Sequence, residues 1–321
     1  MPLRAVIASL VLAVTGVAAN AETIAYGEAF DTLYAFELST RNAVPVGRAG
    51  TYGGTALANI EGLTFSPDGQ QLYAVSDTLL KVLMTVDRNT GAASVIGPLG
   101  GSAGLGDTGQ GNFNVLDLGM SFTCDGRLWL SSGATGSLWE VDPATASSTK
   151  VGNLGVTITG LTARGNELIG TGSHDDPNLY LIDPKTAKAT VIGGYGAGVS
   201  PITTASPGFE PSGQLWSVVD NVPPLPPLNT QPQWSSLATI SNHGSLTVVG
   251  DIMTPSGQKY PTNATQLPYV GLKGMAIASP CSITAAATAP APALSVVGSA
   301  ILALLLALLA GTSLRLRRRR I

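Results

Sequence analysis

A two-strand unit that recurs along the chain constrains the fold more than any other feature of this sequence. It is clearest at residues 179–193, LYLIDPKTAKATVIG, where an apolar strand, a turn on Asp183 and Pro184, and a second strand end at a glycine. Further copies begin at Leu33, Val82, Leu138 and Leu237. Because two strands cannot bury a face by themselves, five copies predict stacked units around a shared core.

A second strand pair precedes this hairpin, for example at residues 61–76 (EGLTFSPDGQQLYAVS) and 118–131 (LGMSFTCDGRLWLS). Asp-Gly and Ser-Gly dipeptides separate the paired strands, since glycine accepts the positive φ of a tight turn. The unit is therefore four strands, A to D, recurring every roughly 40 to 55 residues. This pattern resembles β-propeller blades of the WD40-like or YVTN-like repeat class, which implies an all-β ring.

The two ends of the repeat array complement each other. Residues 23–47 supply strands B, C and D without an A strand, whereas residues 271–280 (GLKGMAIASP) supply an A strand with nothing after it. We therefore predict five four-stranded blades, one of which is completed by pairing the C-terminal strand with the three N-terminal strands. Such a closure removes open sheet edges and ties the ends of the ring together.

Both ends of the chain differ from the repeats in composition. Residues 1–21 combine Arg4, an apolar run and a small-residue cleavage site, the layout of a secretory signal peptide. Residues 293–314 are apolar and uncharged, and as a helix they would be about 33 Å long, enough to cross a bilayer. The predicted segments are a signal peptide (1–21), a propeller (22–282), a linker (283–292), a transmembrane helix (293–314) and a basic cytoplasmic tail (315–321).

A short motif, APALSVVG at residues 291–298, stands at the start of the apolar stretch. Together with the arginines after that stretch, it resembles the IPTL-type, PEP-CTERM-like sorting signals of Gram-negative bacteria. The residues that carry the resemblance are Pro292, Leu294, Ser295, Gly298, Arg317, Arg318, Arg319 and Arg320. It implies an exosortase-like partner, cleavage near Pro292 and transfer to the cell surface or matrix. A plain membrane anchor that holds the body in the periplasm is the alternative.

The body of the chain is acidic once its ends are set aside. Of the 17 Lys and Arg residues, six lie in the two terminal segments, so 20 Asp and Glu residues face 11 basic residues in the body. Such a surface is unsuited to neutralising phosphates, so nucleic acid is excluded as a partner.

The two cysteines, Cys124 and Cys281, would reach an oxidising compartment, where a disulfide is permitted. They fall near the ends of corresponding strands in units that are not neighbours. Since a disulfide requires Cα atoms within about 7 Å, this placement favours two separate thiols.

Loop lengths predict which face of the ring carries function. The A-to-B and C-to-D turns are short, whereas every long segment falls in a D-to-A or a B-to-C connection. These two kinds of connection emerge together on what we call the elaborated face. The opposite side is the trimmed face. Side chains on the elaborated face would either form a mouth for a sugar, peptide or cation, or pack the loops together. These candidates are Tyr52, Phe113, His174, Asp175, Asp176, Tyr195, Trp234, Tyr260 and Tyr269.

Motifs for catalysis or cofactor binding are not found in the sequence. Residues 174–176 (HDD) would suit either a divalent ion or a turn, and the recurring Asp87, Asp142 and Asp183 are expected to cap their own turns. The A strands offer mainly Gly, Thr, Ser and apolar residues. These features favour an exported binding, adhesion or scaffold module without catalysis, cofactor or metal. The alternative is an extracytoplasmic hydrolase or lactonase-like enzyme with a metal at the channel mouth.

Overall fold

The computed structural model describes residues 22–77, 81–99, 118–172, 176–196, 202–221, 235–254, 256, 271–278 and 281 of the 321-residue chain. The predicted signal peptide, linker, transmembrane helix and basic tail lie outside these residues. Within the described part of the chain, no helix has the length and apolar character needed to cross a membrane.

Twenty-two strands run through the described residues. In chain order they are β1 (Ile24–Ala29), β2 (Thr32–Glu37), β3 (Ala43–Arg48), β4 (Thr51–Tyr52), β5 (Thr55–Ala56), β6 (Ile60–Phe65), β7 (Leu72–Asp77), β8 (Lys81–Val86), β9 (Ala93–Pro98), β10 (Leu118–Phe122), β11 (Leu128–Ser132), β12 (Ser137–Val141), β13 (Ser148–Asn153), β14 (Gly160–Arg164), β15 (Glu167–Thr171), β16 (Asn178–Asp183), β17 (Lys188–Gly194), β18 (Ile202–Phe209), β19 (Leu215–Asn221), β20 (Ser235–Ile240), β21 (Leu246–Asp251) and β22 (Lys273–Ile277).

Five antiparallel sheets of four strands form the blades. Blade 1 has the order β22-β1-β2-β3, and blades 2 to 5 are β6 to β9, β10 to β13, β14 to β17 and β18 to β21. The innermost strands contact one another in a closed cycle, β22 with β6, β6 with β10, β10 with β14, β14 with β18, and β18 with β22. The predicted five-bladed propeller with one composite blade is therefore confirmed.

The register of blade 1 shows how the ends of the body meet. Ala25 of β1 lies opposite Ile277 of β22, so the two strands are paired antiparallel, like the strands of a hairpin. At the rim, the Ala43 N–H donates to the Met253 carbonyl (2.8 Å) and the Met253 N–H donates to the Arg41 carbonyl (3.0 Å). Closure thus involves both the inner strand and the outer edge of the ring.

The hydrophobic core lies between adjacent blades rather than inside any one of them. Between blades 2 and 3, for example, Val75 and Leu83 pack with Met120, Leu130 and Trp139 in one buried cluster. Strands β10 and β11 are buried at every residue, so both of their faces are covered. Since a large apolar side chain contributes about 1.5–3 kcal/mol when buried, stability depends on neighbouring blades being in place.

The glycine that ends each repeat has a packing role at the rim. A Cβ atom at Gly47 would overlap the Thr90 carbonyl in the C-to-D turn of blade 2, and one at Gly193 would overlap the His243 carbonyl in blade 5. The outer strand of each blade therefore lies directly against the turn of the next blade. A side chain at these positions would force the blades apart.

The expectation of two separate thiols is wrong, because Cys124 and Cys281 form a disulfide with their Cα atoms 5.7 Å apart. Cys124 lies in the A-to-B turn of blade 3, and Cys281 follows the inner strand of blade 1. Blades 1 and 3 are not neighbours, yet all A-to-B turns meet around one narrow channel. The short chain after β22 can therefore reach across to blade 3.

Candidate functional site

Tyr52 projects from the elaborated face. It lies on the β4–β5 hairpin, whose turn at Gly53 and Gly54 has φ of 58° and 82°, as a tight hairpin turn requires. The hairpin starts beside the B-to-C turn of blade 1, where the Ala49 N–H donates to the Asp31 carbonyl (2.9 Å). The Tyr52 side chain is 46% exposed and accessible to a ligand.

Asp176 and Tyr195 lie together between blades 4 and 5, where they hold the protein's own loops. The Asp176 carboxylate accepts hydrogen bonds from the Tyr180 hydroxyl (2.5 Å) and from the side-chain amide of Asn178 (2.7 Å). The Tyr195 hydroxyl donates to the Gly172 carbonyl (2.9 Å), and its side chain is only 2% exposed. In this arrangement Tyr195 is a packing residue, the alternative that sequence reasoning had left open.

These contacts also shift the ionisation of the two tyrosines. Burial, together with the hydrogen bond to Asp176, raises the pKa of Tyr180 to about 12. Burial and the nearby Asp176 charge raise the pKa of Tyr195 further. Both phenols therefore stay neutral at physiological pH and act as hydrogen-bond donors.

The other candidates on the elaborated face fall outside the described residues, and their role in ligand binding stays a prediction. They are Phe113, His174, Asp175, Trp234, Tyr260 and Tyr269. Among the described residues, no group of three or more His, Cys, Asp and Glu side chains is arranged to hold a metal ion.

The central channel is narrow where the structure describes it. Inner strands approach so closely that a Cβ at Gly62, Gly119 or Gly274 would overlap atoms of the next blade. Near the trimmed face the channel widens to a cavity of about 30 Å³, lined by the ends of all five inner strands and including Phe65 and Phe122. That volume holds water molecules but not a sugar or peptide.

Sequence reasoning missed a buried polar layer at the opposite, upper end of the channel. Glu61 accepts a hydrogen bond from the Leu118 N–H (2.8 Å), which ties blade 2 to blade 3. The Ser235 hydroxyl donates to Asp220 (2.7 Å) and accepts from the Leu272 N–H (2.7 Å), which ties blade 5 to blade 1. Glu61 lies on the inner strand β6 and Asp220 on the second strand β19, and both carboxylates link neighbouring blades.

Glu28 belongs to the same layer but differs from the other carboxylates. Its side chain is fully buried in β1, and neither carboxyl oxygen has a hydrogen-bond partner. Burial, and to a lesser degree the charge of Asp31, raises its pKa well above 4.5. A single carboxylate inside the apolar strand IAYGEA was the sequence signal for such a group.

Replacing Glu28 by glutamine should stabilise the protein at alkaline pH. Because the folded pKa of Glu28 is raised, the folded state holds its proton more tightly than the unfolded state does. Stability is therefore lost as pH rises from about 4.5 through the folded pKa. Glu28→Gln should remove this loss and gain about 1–3 kcal/mol at pH 8, measured by urea unfolding at pH 5 and 8.

A matched control is Glu167→Gln, which changes an exposed carboxylate paired with Arg164 at 2.8 Å. That substitution should leave the slope of stability against pH almost unchanged. The same slope in Glu28→Gln and the parent protein would show that Glu28 does not titrate as its environment indicates.

The recurring aspartates serve their own turns, as expected. The Asp142 carboxylate accepts the Ala144 N–H (2.8 Å) and the Thr145 hydroxyl (2.8 Å). Asp183 makes the same pair of contacts with Lys185 and Thr186, at 2.9 and 2.8 Å. The backbone bonds lower the pKa of both carboxyl groups, so each remains charged as a local cap.

Comparison with known proteins gives the fold but no family. No protein-family model matches the chain, and no curated protein matches it. A solved GH43 glycoside hydrolase with an engineered active site superposes with a TM-score of 0.50 at 12% identity, over 76% of this chain and 54% of that one. The chain is a five-bladed β-propeller. It spans only about half of the hydrolase, and at this identity the likeness concerns the fold alone.

Two further solved structures superpose on the chain with lower TM-scores. The nidogen/laminin complex gives a TM-score of 0.46 at 12% identity, covering 80% of this chain and 99% of that one. A putative TolB from Agrobacterium tumefaciens gives 0.39 at 14% identity, covering 70% and 71%.

Proposed function

We propose that this propeller is an exported binding module that presents its elaborated face to a glycan or protein ligand and performs no catalysis. The observation that carries the proposal is the difference between its two faces. One face has the short capped turns, whereas the other carries the long connections and the exposed Tyr52 hairpin. The described channel has room only for water, so a ligand would bind across the face rather than in the centre.

The polar layer at the upper end of the channel supports this proposal. Glu61 and Asp220 hold neighbouring blades together through backbone and serine partners. A carboxylate that carries a structural hydrogen bond between blades is poorly placed to act also as a general base. These residues therefore serve as a rigid platform under the loops.

A glycan and protein binding screen on residues 22–282 tests the proposal. Tyr52→Ala should weaken the best ligand by about tenfold, because exposed aromatic side chains contribute strongly to recognition. Val191→Ala is the matched control, since Val191 is 55% exposed on the outer strand of blade 4, away from the loops. Equal weakening by both substitutions, or turnover of a bound glycan, would contradict the proposal.

A hydrolase or lactonase-like enzyme with a metal at the channel mouth is the second candidate, and the buried Glu28 is the observation that favours it. A carboxyl group with a raised pKa is suited to donating a proton. Metal analysis of the purified protein separates the two candidates. A stoichiometric ion that is lost when Asp175 and Asp176 are changed to alanine would favour the enzyme.

We further propose that the tail anchors the chain in the inner membrane, with the body in the periplasm, until an exosortase-like enzyme transfers it to the cell surface. Replacing residues 292–295 by alanine should block this processing but leave the melting temperature unchanged, because these residues follow the propeller. Mass spectrometry of the surface protein measures the processing. An intact tail on the wild-type surface protein would contradict the proposed cleavage and leave the tail as a simple membrane anchor.

A further inference from the structure

The C-terminal end of the propeller emerges on the trimmed face. Strand β22 is the inner strand of blade 1, and its last residue, Ile277, lines the lower end of the channel together with Phe65, Phe122 and Phe209. Inner strands run from the elaborated face to the A-to-B turns. The chain after Ile277 therefore starts among those turns, close to the channel axis.

The disulfide holds the chain at this position. Cys281 is bonded to Cys124, whose own N–H donates to the Gly165 carbonyl in the A-to-B turn of blade 4 (2.9 Å). The adjacent Asp125 N–H donates to the Asn166 side chain of the same turn (3.0 Å). Three peptide units separate Ala278 from Cys281 and span at most about 11 Å. The point of departure is thus fixed near the axis.

We propose that the body is held through Cys281, near the axis of the trimmed face, so that the elaborated face points away from the membrane or surface that holds the tail. This inference depends on the proposed anchoring. In this orientation the elaborated face meets ligands on the side away from the membrane, rather than the lipid headgroups of the membrane that carries the protein.

The charges of the trimmed face agree with a body held off the membrane. Two arginines near the channel are paired, Arg127 with Glu140 at 2.6 Å and Arg164 with Glu167 at 2.8 Å, and Arg88 lies over the Phe65 ring. The neighbouring turns carry the exposed aspartates Asp68, Asp125, Asp142 and Asp183 beside the exposed lysines Lys185 and Lys188. Anionic lipids attract clusters of basic residues, whereas the basic side chains of this face are interspersed with carboxylates. Residues 282–292 allow a separation of up to about 39 Å.

Energy transfer to a lipid acceptor tests the orientation in the full chain. Tyr52→p-azidophenylalanine and Ser212→p-azidophenylalanine place the same donor dye on the elaborated and trimmed faces, since Ser212 is exposed in the A-to-B turn of blade 5. The proteins are reconstituted into vesicles with a headgroup-labelled acceptor lipid. Transfer from position 212 should be at least about twofold higher, because strands of six residues separate the faces by about 20 Å.

The energy-transfer experiment includes a membrane-binding tag and a circular permutant as controls. A hexahistidine tag after Ile321 and a nickel-chelating lipid keep the tail at the membrane even if residues 293–314 do not insert. EDTA removes the nickel and releases the tag, so protein that still floats with the vesicles is held by insertion of residues 293–314. This measurement tests the proposed anchoring separately. A circular permutant supplies the reversed orientation: an Asn-Gly turn joins Ala278 to Thr23, the chain is opened between Gly53 and Gly54, and the tail is grafted after Gly53. In this permutant the order of transfer should reverse. Equal transfer from both positions, or higher transfer from position 52 in the native order, would overturn the inference.

Discussion

A chain that lacks residues 271–280 is expected not to fold. The deletion removes β22, the inner strand of blade 1, and with it the contacts of that blade with β6 and β18. Leu272, Met275 and Ile277 are all buried, and their loss alone costs roughly 5–9 kcal/mol. That is a large part of the about 5–15 kcal/mol by which a domain is stable. Circular dichroism and thermal unfolding should show no cooperative transition.

A circular permutant tests directly whether β22 closes the ring by pairing with β1, because it retains β22 and links it covalently to β1. Ala25 and Ile277 already lie opposite each other, so an Asn-Gly turn can join Ala278 to Thr23 while the chain is opened between Gly53 and Gly54. In a Cys124→Ser background, this permutant should melt cooperatively, near the Cys124→Ser/Cys281→Ser protein. A deletion variant that melts like the parent, or a permutant that does not fold, would contradict the closure.

Removal of the disulfide by Cys124→Ser/Cys281→Ser is expected to give the second largest loss of stability. The bond joins residues 157 positions apart, and the loop-entropy relation gives about 5 kcal/mol for a loop of this length. For a domain of this size the melting temperature should fall by about 10–20 °C. Differential scanning calorimetry of the oxidised parent and the double variant measures the difference.

Reduction of the parent protein supplies the control for the two substitutions. With a reductant the parent should melt near the double variant, and the double variant should not respond to the reductant. A loss of only one or two degrees would mean that blades 1 and 3 are held by their neighbours without need of the bond. If the melting temperature falls in the double variant but not in the reduced parent, the serine side chains, and not the missing disulfide, cause the loss of stability.

The blade count and the composite closure could be predicted because both depend on local patterns that repeat. Alternating apolar residues and turn dipeptides mark each hairpin, and the strands missing at one end are present at the other. The caps at Asp142 and Asp183 belong to the same class, since their partners lie within three residues. Contacts between residues close in sequence are visible in the sequence.

Contacts between blades could not be predicted in the same way. Glu61 meets the Leu118 N–H, and Cys124 meets Cys281, only because five twisted sheets converge on one channel. A carboxylate within a strand has the same sequence pattern whether it faces solvent, as Glu167 does, or is buried, as Glu28 is. The repeats therefore determined the ring and its local turns. The packing of the blades decided which polar groups are buried and where the C-terminal chain leaves the body.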